Sequence, residues 1–213
     1  MKLPAQPSKD TAAKILQAAK KLFARTGYDG VSIKKISLEA GTNSALISYY
    51  FGGKPQLYQA VLNQQADIII STIEKLKDSQ LPPLNNILMF MDEQTRLHLK
   101  DPDSMQVIYR EFLTPTHEGS DIINQRMFGI FDRLTEAFEA ARSQNAIKAD
   151  VDCRRAAFTL ISIFAFYLLT YKYEALTEEK RLPGSDDFRR LQGVYLDYLK
   201  SLSATKGDCH ELI

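Results

Sequence analysis

Glycines and prolines break this chain at Gly27, Gly30, Gly41, Gly52-Gly53, Pro82-Pro83, Pro102, Pro115, Gly119 and Pro183-Gly184. Between these breaks no run alternates apolar and polar residues with the period of two that a half-buried strand requires. Apolar residues recur instead at spacings of three and four, which places them on one side of a helix. The pattern predicts an all-α fold with about nine helices, over 10–26, 33–39, 43–50, 54–77, 84–100, 103–113, 119–145, 152–174 and 185–204.

Local signals sharpen the first of these. Ile15, Ala19, Leu22 and Phe23 form the apolar stripe of helix 10–26, and Gly27 is a stop signal at its end. Ser32 is the expected cap of 33–39, with Ile33, Ile36 and Ala40 facing inward. Thr42 or Asn43 caps 43–50, where Ile47, Tyr50 and Phe51 can pack inward. Pro55 belongs to the first turn of the next helix, where its missing N–H costs nothing. Two short helices joined by a tight glycine turn and braced by a preceding helix make a helix-turn-helix unit.

Charge is unevenly placed. Residues 1–54 hold nine basic and three acidic residues, a net of +6, while the remaining 18 basic and 23 acidic residues net −5. A basic head on an acidic body points to a polyanion as partner. Cys153 and Cys209 are far apart and lack metal-ligand spacing, so neither a disulfide framework nor a metal site is expected. The start MKLPAQPSKD has no apolar core of a secretory signal, and the uncharged stretch from Ala156 to Tyr171 is shorter than the roughly 20 residues a membrane crossing takes. A cytoplasmic protein with no membrane partner is expected. His98, His117 and His210 are the histidines, and no G-x-S-x-G, H-E-x-x-H, phosphate-loop or G-x-G-x-x-G motif occurs. Neither catalysis nor a cofactor is expected.

The stretch SALISYYFGGK (44–54) then demands a partner outside the core. Ser44, Ala45 and Ser48 are small enough to bring a helix close to base edges in a major groove. Tyr49 joins a flat ring to a hydroxyl that can donate to a phosphate. Lys54 stands at the next helix start, where backbone amides and positive charge favour an anion. Lys34 can reach a phosphate or a guanine edge, and Ser32 and Thr42 can donate to phosphate from helix N-termini. Lys35 reads as a solvated charge, and Gly52-Gly53 as the device that turns the chain into the next helix.

The segments ILQAAKKLFARTGYDG, VSIKKISLEAG and GTNSALISYYFGGKPQLYQAVL resemble the N-terminal domain of TetR-family transcriptional regulators. The resemblance covers about 9–62 without gaps. It places the family's DNA contacts on Lys34, Thr42, Ser44, Ala45, Ser48, Tyr49, Tyr50 and Lys54. Thr42-Asn43 stands where Val-Ser is common, Tyr50 where His is frequent and Ser48 where Tyr is common, so the operator sequence does not carry over. ISYYFGGK is similar to the INYHFGSK of the CecR-like subgroup. The resemblance implies a division into a DNA-binding domain, 1–54, and a helical ligand-binding and dimerisation domain, 55–213. It also implies a ligand-responsive regulator, a repressor by family habit. Such a protein binds a palindromic double-stranded operator as a homodimer and is released by a small-molecule effector.

The remainder supports such a body. Helix 152–174 is apolar nearly all round, which demands burial on every face. Packing it and helix 185–204 against a second copy meets that demand. Met89, Met91, Tyr109, Phe112, Phe128, Phe131, Phe164 and Tyr167 are candidate pocket residues, with Arg96, His98, Arg110, Glu111 or Thr114 as polar anchors. The segment 110–121 reads as a hinge. The alternative is a pocketless or architectural DNA-binding protein without an effector.

Overall fold

A computed structural model describes residues 9–77, 80–174 and 185–204. Pro183-Gly184, Cys209 and His210, singled out above, lie outside them. The elements in chain order are α1 (Lys9–Thr26), α2 (Ile33–Glu39), α3 (Ser44–Phe51), α4 (Lys54–Lys77), α5 (Pro83–Lys100) and α6 (Pro102–Leu113). Then follow α7 (Ser120–Ile122), a π-helical turn (Ile123–Met127), α8 (Phe128–Ser143), α9 (Cys153–Glu174) and α10 (Ser185–Leu202). No strand occurs among the described residues. Ile147 and Ser203 form an isolated bridge. The fold is all-α, with an N-terminal helix-turn-helix and a helical remainder. Among the described residues no helix is long and apolar enough to cross a membrane.

The expected helix over 119–145 runs unbroken from Ser120 to Ser143, and its one irregularity is the π-helical turn between α7 and α8. Apolar spacing does not distinguish an i→i+5 turn from an i→i+4 turn, so the pattern alone could not show it. Arg126, within that turn, pairs with the Asp67 carboxylate and donates to Asn63 Oδ1 at 3.2 Å.

By packing, the chain forms two compact units. The first takes in residues up to Ile68 together with Asp101–Phe128. Ile15, Ala19 and Phe23 of α1, Ile36 of α2, Ile47 of α3, Leu57, Val61 and Leu62 of α4, and Val107 and Ile108 of α6 are all fully buried in one cluster. α1 ends as its glycine requires: Gly27 takes a φ of 74° and its N–H reaches Phe23 O at 2.9 Å.

Polar side chains fasten the returning segment to α1 and α4. The Lys20 ammonium, on a residue 4% exposed, pairs with the Asp101 carboxylate and reaches Ser104 Oγ at 3.2 Å. Burial opposes ionisation of Asp101, but hydrogen bonds from Lys20 and Ser104 outweigh it and hold the carboxyl below the usual range. Arg110 donates from Nε to Ala24 O and from Nη2 to Arg25 O, both at 2.6 Å. It thus satisfies orphan carbonyls at the C-terminus of α1 with a positive charge. Glu111, 1% exposed, accepts from Tyr58 Oη at 2.6 Å, Thr116 N at 2.7 Å and Thr116 Oγ1 at 3.1 Å.

The second unit takes in Ile69–Lys100 and the chain from Gly129. Its core holds Ile73, Ile87, Met91, Leu134, Phe138, Leu160, Leu191, Tyr195 and Leu199. α5 and α10 are joined by Gln192 Nε2 donating to Asp92 Oδ2 at 2.7 Å and by a 3.4 Å contact between the Thr95 and Tyr195 hydroxyls. Phe158, Phe166 and Leu169 of α9 and Val194 of α10 remain exposed on the single chain.

A Cβ at Gly119 would lie 2.4 Å from the Glu111 carboxyl carbon, so alanine there must displace a buried, bonded carboxylate. Gly119→Ala is expected to lower unfolding stability by about 1–3 kcal/mol in a urea titration.

Candidate nucleic-acid interface

Three packed helices build the surface: α1 lies against α2 and α3, and α2 against α3. α2 and α3 have seven and eight residues, too few to hold a helical form by propensity alone. Caps and core contacts hold them. Ser32, extended at φ −107° and ψ 154°, accepts from Lys35 N through Oγ at 3.2 Å. Gly41 takes a φ of 63°, and Thr42 N returns to Ser37 O at 2.9 Å, which closes the turn. Of the two expected caps of α3, Asn43 fills the position: its Oδ1 accepts from Ala45 N at 2.9 Å. At the far end Gly52 (φ 85°) and Gly53 (φ 143°) turn the chain into α4 through angles that favour glycine.

Burial of Ile47 fixes the rotation of α3, with Leu46, Tyr50 and Phe51 packed partly against the same core. Ser44, Ala45, Ser48 and Tyr49 consequently face solvent, and Tyr49 is 70% exposed. The rings of Tyr49 and Tyr50 meet edge to face, 5.1 Å between centroids. Tyr50 therefore has both a core contact and an edge toward the exposed side.

The other candidates fall around this helix with different freedom. Ser32 and Lys34 are exposed at the start of α2. Thr42 is half-buried and its Oγ1 is enclosed without a hydrogen bond, so that hydroxyl is turned inward. Lys35, read as a solvated charge, donates to Gly30 O at 3.0 Å. Lys54 lies in the first turn of α4, half-buried, with its ammonium 4.0 Å from the centroid of the Tyr28 ring. Nothing in the sequence pattern picked out Tyr28; its setting between Gly27 and Gly30 was the available signal.

The pocket candidates are divided between the two units. Tyr109, Phe112 and Phe128 belong to the first unit, and Met89, Arg96, Phe131, Phe164 and Tyr167 to the second. Met89, Phe112 and Phe128 are exposed, Phe164 is buried, and burial raises the Tyr109 phenol above its ordinary pKa. Arg96 is exposed and pairs with Glu93. Phe131 is half-buried beneath the Arg154 guanidinium, 4.8 Å from its centroid, and Tyr167 is half-buried. Arg110 and Glu111, considered as polar anchors, spend their hydrogen bonds inside the first unit. The second unit has a groove of about 430 Å³ lined by Ile73, Leu81, Asn86, Arg133, Glu136 and Ala140, among others. None of the pocket or anchor candidates lines it.

A short helix with one buried face and one small, polar, exposed face, on a basic head, defines a helix-turn-helix DNA-binding protein. Comparison with known proteins agrees. Residues 15–61 match the family described as bacterial regulatory proteins, tetR family. The HTH-type transcriptional repressor NicS of Pseudomonas putida is 26% identical over 168 residues, 76% of this chain and 78% of NicS. Two solved structures share the fold. The transcriptional regulator FadR of Bacillus subtilis, in complex with stearoyl-CoA, has a TM-score of 0.72 at 19% identity, covering 91% of this chain and 99% of FadR. AibR, in complex with isovaleryl coenzyme A and operator DNA, has a TM-score of 0.70 at 23% identity, covering 92% and 99%. Residues 15–61 thus carry the tetR-type N-terminal domain, and the chain is similar over most of its length to a regulator of that kind.

Removing the α3 cap leaves the Ala45 N–H without its partner. Asn43→Ala should cost about 1 kcal/mol of stability, read from the shift of a chemical-denaturation midpoint.

Proposed function

We propose that this regulator binds a palindromic double-stranded operator as a homodimer, represses from it, and leaves it when a small molecule binds. The observation that carries the reading is the exposed Ser44, Ala45, Ser48 and Tyr49 face of α3, held outward by the buried Ile47. Small side chains allow close approach to base edges, and Tyr49 can donate to phosphate. Lys34, Lys54 and Ser32 take flanking phosphates, and Tyr50 closes the contact from the edge of the core. Thr42 joins them through a rotation of its inward hydroxyl. In this reading residues 1–54 supply the DNA contacts and 55–213 the effector and dimer functions, in the cytoplasm.

Support for the dimer comes from α9 and α10. Phe158 and Phe166 are 63% and 69% exposed, and Leu169 and Val194 are exposed on the same two helices. Large apolar side chains at these positions favour cover by the same helices of a second copy, a two-fold arrangement. For the effector, FadR and AibR were solved with CoA thioesters, which makes acyl-CoA molecules the first compounds to test. An effector acts only if it binds the DNA-free state more tightly.

The test is a fluorescence-anisotropy titration of duplex DNA flanking the protein's own coding sequence, with unrelated duplex as competitor. Saturable binding that resists the competitor is the expected result; equal affinity for both duplexes would remove the operator reading. Tyr49→Ala and Lys54→Ala should each weaken binding by about fivefold or more while circular dichroism stays unchanged. Phe166→Asp should convert the dimer to monomer in sedimentation, and a Phe166→Asp protein that stays dimeric would place the interface elsewhere.

A further inference from the structure

A lysine in the first turn of a helix is in an unfavourable field, because the N-terminal end of the helix is its positive end. Lys54 is such a residue. What offsets that field is the face of an aromatic ring: its ammonium stands 4.0 Å from the centroid of Tyr28. The negative face of a phenol attracts a cation and narrows the range of rotamers a long, flexible side chain explores.

The ring itself is firmly placed. Phe23, fully buried, lies 6.1 Å away at an interplanar angle of 27°, and Tyr58 lies 4.9 Å away at 46°. Tyr58 is anchored through its hydroxyl to Glu111 at 2.6 Å. Burial and the nearby Glu118 carboxylate raise the Tyr28 phenol above its ordinary pKa, and Glu118 O accepts from Gln59 Nε2 at 3.1 Å. Residues of α1, α4 and the segment 111–118 thus hold one ring, and that ring holds one ammonium.

We propose that Tyr28 is a positioning residue for DNA binding: its ring face sets the Lys54 ammonium at the N-terminus of α4, where ammonium and backbone N–H groups together meet a DNA phosphate. The proposal rests on the reading of Lys54 as a phosphate contact. Two properties follow that a plain packing role for Tyr28 does not share. The ring matters and its hydroxyl does not. Loss of the ring also changes how DNA binding depends on salt, since each phosphate contact contributes about one unit to the slope of log affinity against log salt.

The experiment uses the full chain and a duplex that the wild-type protein selects from a random library, titrated over a series of KCl concentrations. Tyr28→Phe should bind within about twofold of wild type. Tyr28→Leu and Lys54→Ala should each lose about fivefold or more and flatten the salt slope alike. The double variant should bind no more weakly than Lys54→Ala, because both changes remove one interaction. Tyr28→Leu with the wild-type slope, or a double variant whose losses add, overturns the role of Tyr28 and leaves Lys54 as a contact. Lys54→Ala with wild-type affinity and slope removes the phosphate reading, and the proposal with it. If Tyr28→Leu does not unfold cooperatively, pentafluorophenylalanine at position 28 asks the same question with the ring shape kept. Compared with Tyr28→Phe, weaker binding and a flatter slope support the proposal, and unchanged binding overturns it.

Discussion

A carboxylate with 1% of its surface exposed is tolerable only when donors fill its oxygens, and Glu111 meets that condition with Tyr58 Oη, Thr116 N and Thr116 Oγ1. Much of the first unit is arranged around it. Tyr58 is oriented by the bond it donates, and its ring then meets Phe23 and Tyr28. The chain after α6 turns back so that Thr116 can cap the carboxylate, and a Cβ at 119 would press on it. A buried charge that is well bonded contributes little net stability, but it tolerates one geometry where an apolar contact tolerates several.

The recognition surface depends on the same economy of contacts. α2 and α3 are too short to persist alone, and α3 presents one fully buried side chain, Ile47, to the core. Caps at Ser32 and Asn43 and left-handed glycines at 41 and 52 set where each helix begins and stops. Because backbone devices perform this work, the outward side chains of α3 carry little structural duty. Ser44, Ala45 and Ser48 can therefore be chosen for what they meet outside the protein.

Local rules made much of this legible before any coordinates. The bounds of α2 and α4, the cap at Ser32 and the inward turn of Ile47 follow from 3.6-residue spacing, capping chemistry and glycine placement, all of which act within a few residues. What stayed hidden acts at a distance. Tyr58 and Glu111 are 53 residues apart, and Arg110 and Ala24 are 86 apart. A polar residue on an apolar stripe looks the same whether its partner is another helix or a ligand, so Arg110 and Glu111 read as pocket anchors. The return of 101–128 to the first unit is invisible to a linear change in charge at residue 54. The turn at 123–127 escaped because two helical pitches can place apolar residues at similar intervals. Tyr28 escaped because the pairing of its ring with Lys54 has no periodic signature.

The discontinuity of the first unit bears on transplantation. A chimera joining residues 1–54 to a foreign body would carry Lys20 without Asp101, and the C-terminus of α1 without the guanidinium that caps it. A lysine sealed from water with no counter-charge and two orphan carbonyls would burden the graft before any question of DNA specificity arose. The first unit joins two separate stretches of chain, residues 9–68 and 101–128, so a graft that keeps its buried pairs must take both from the same parent.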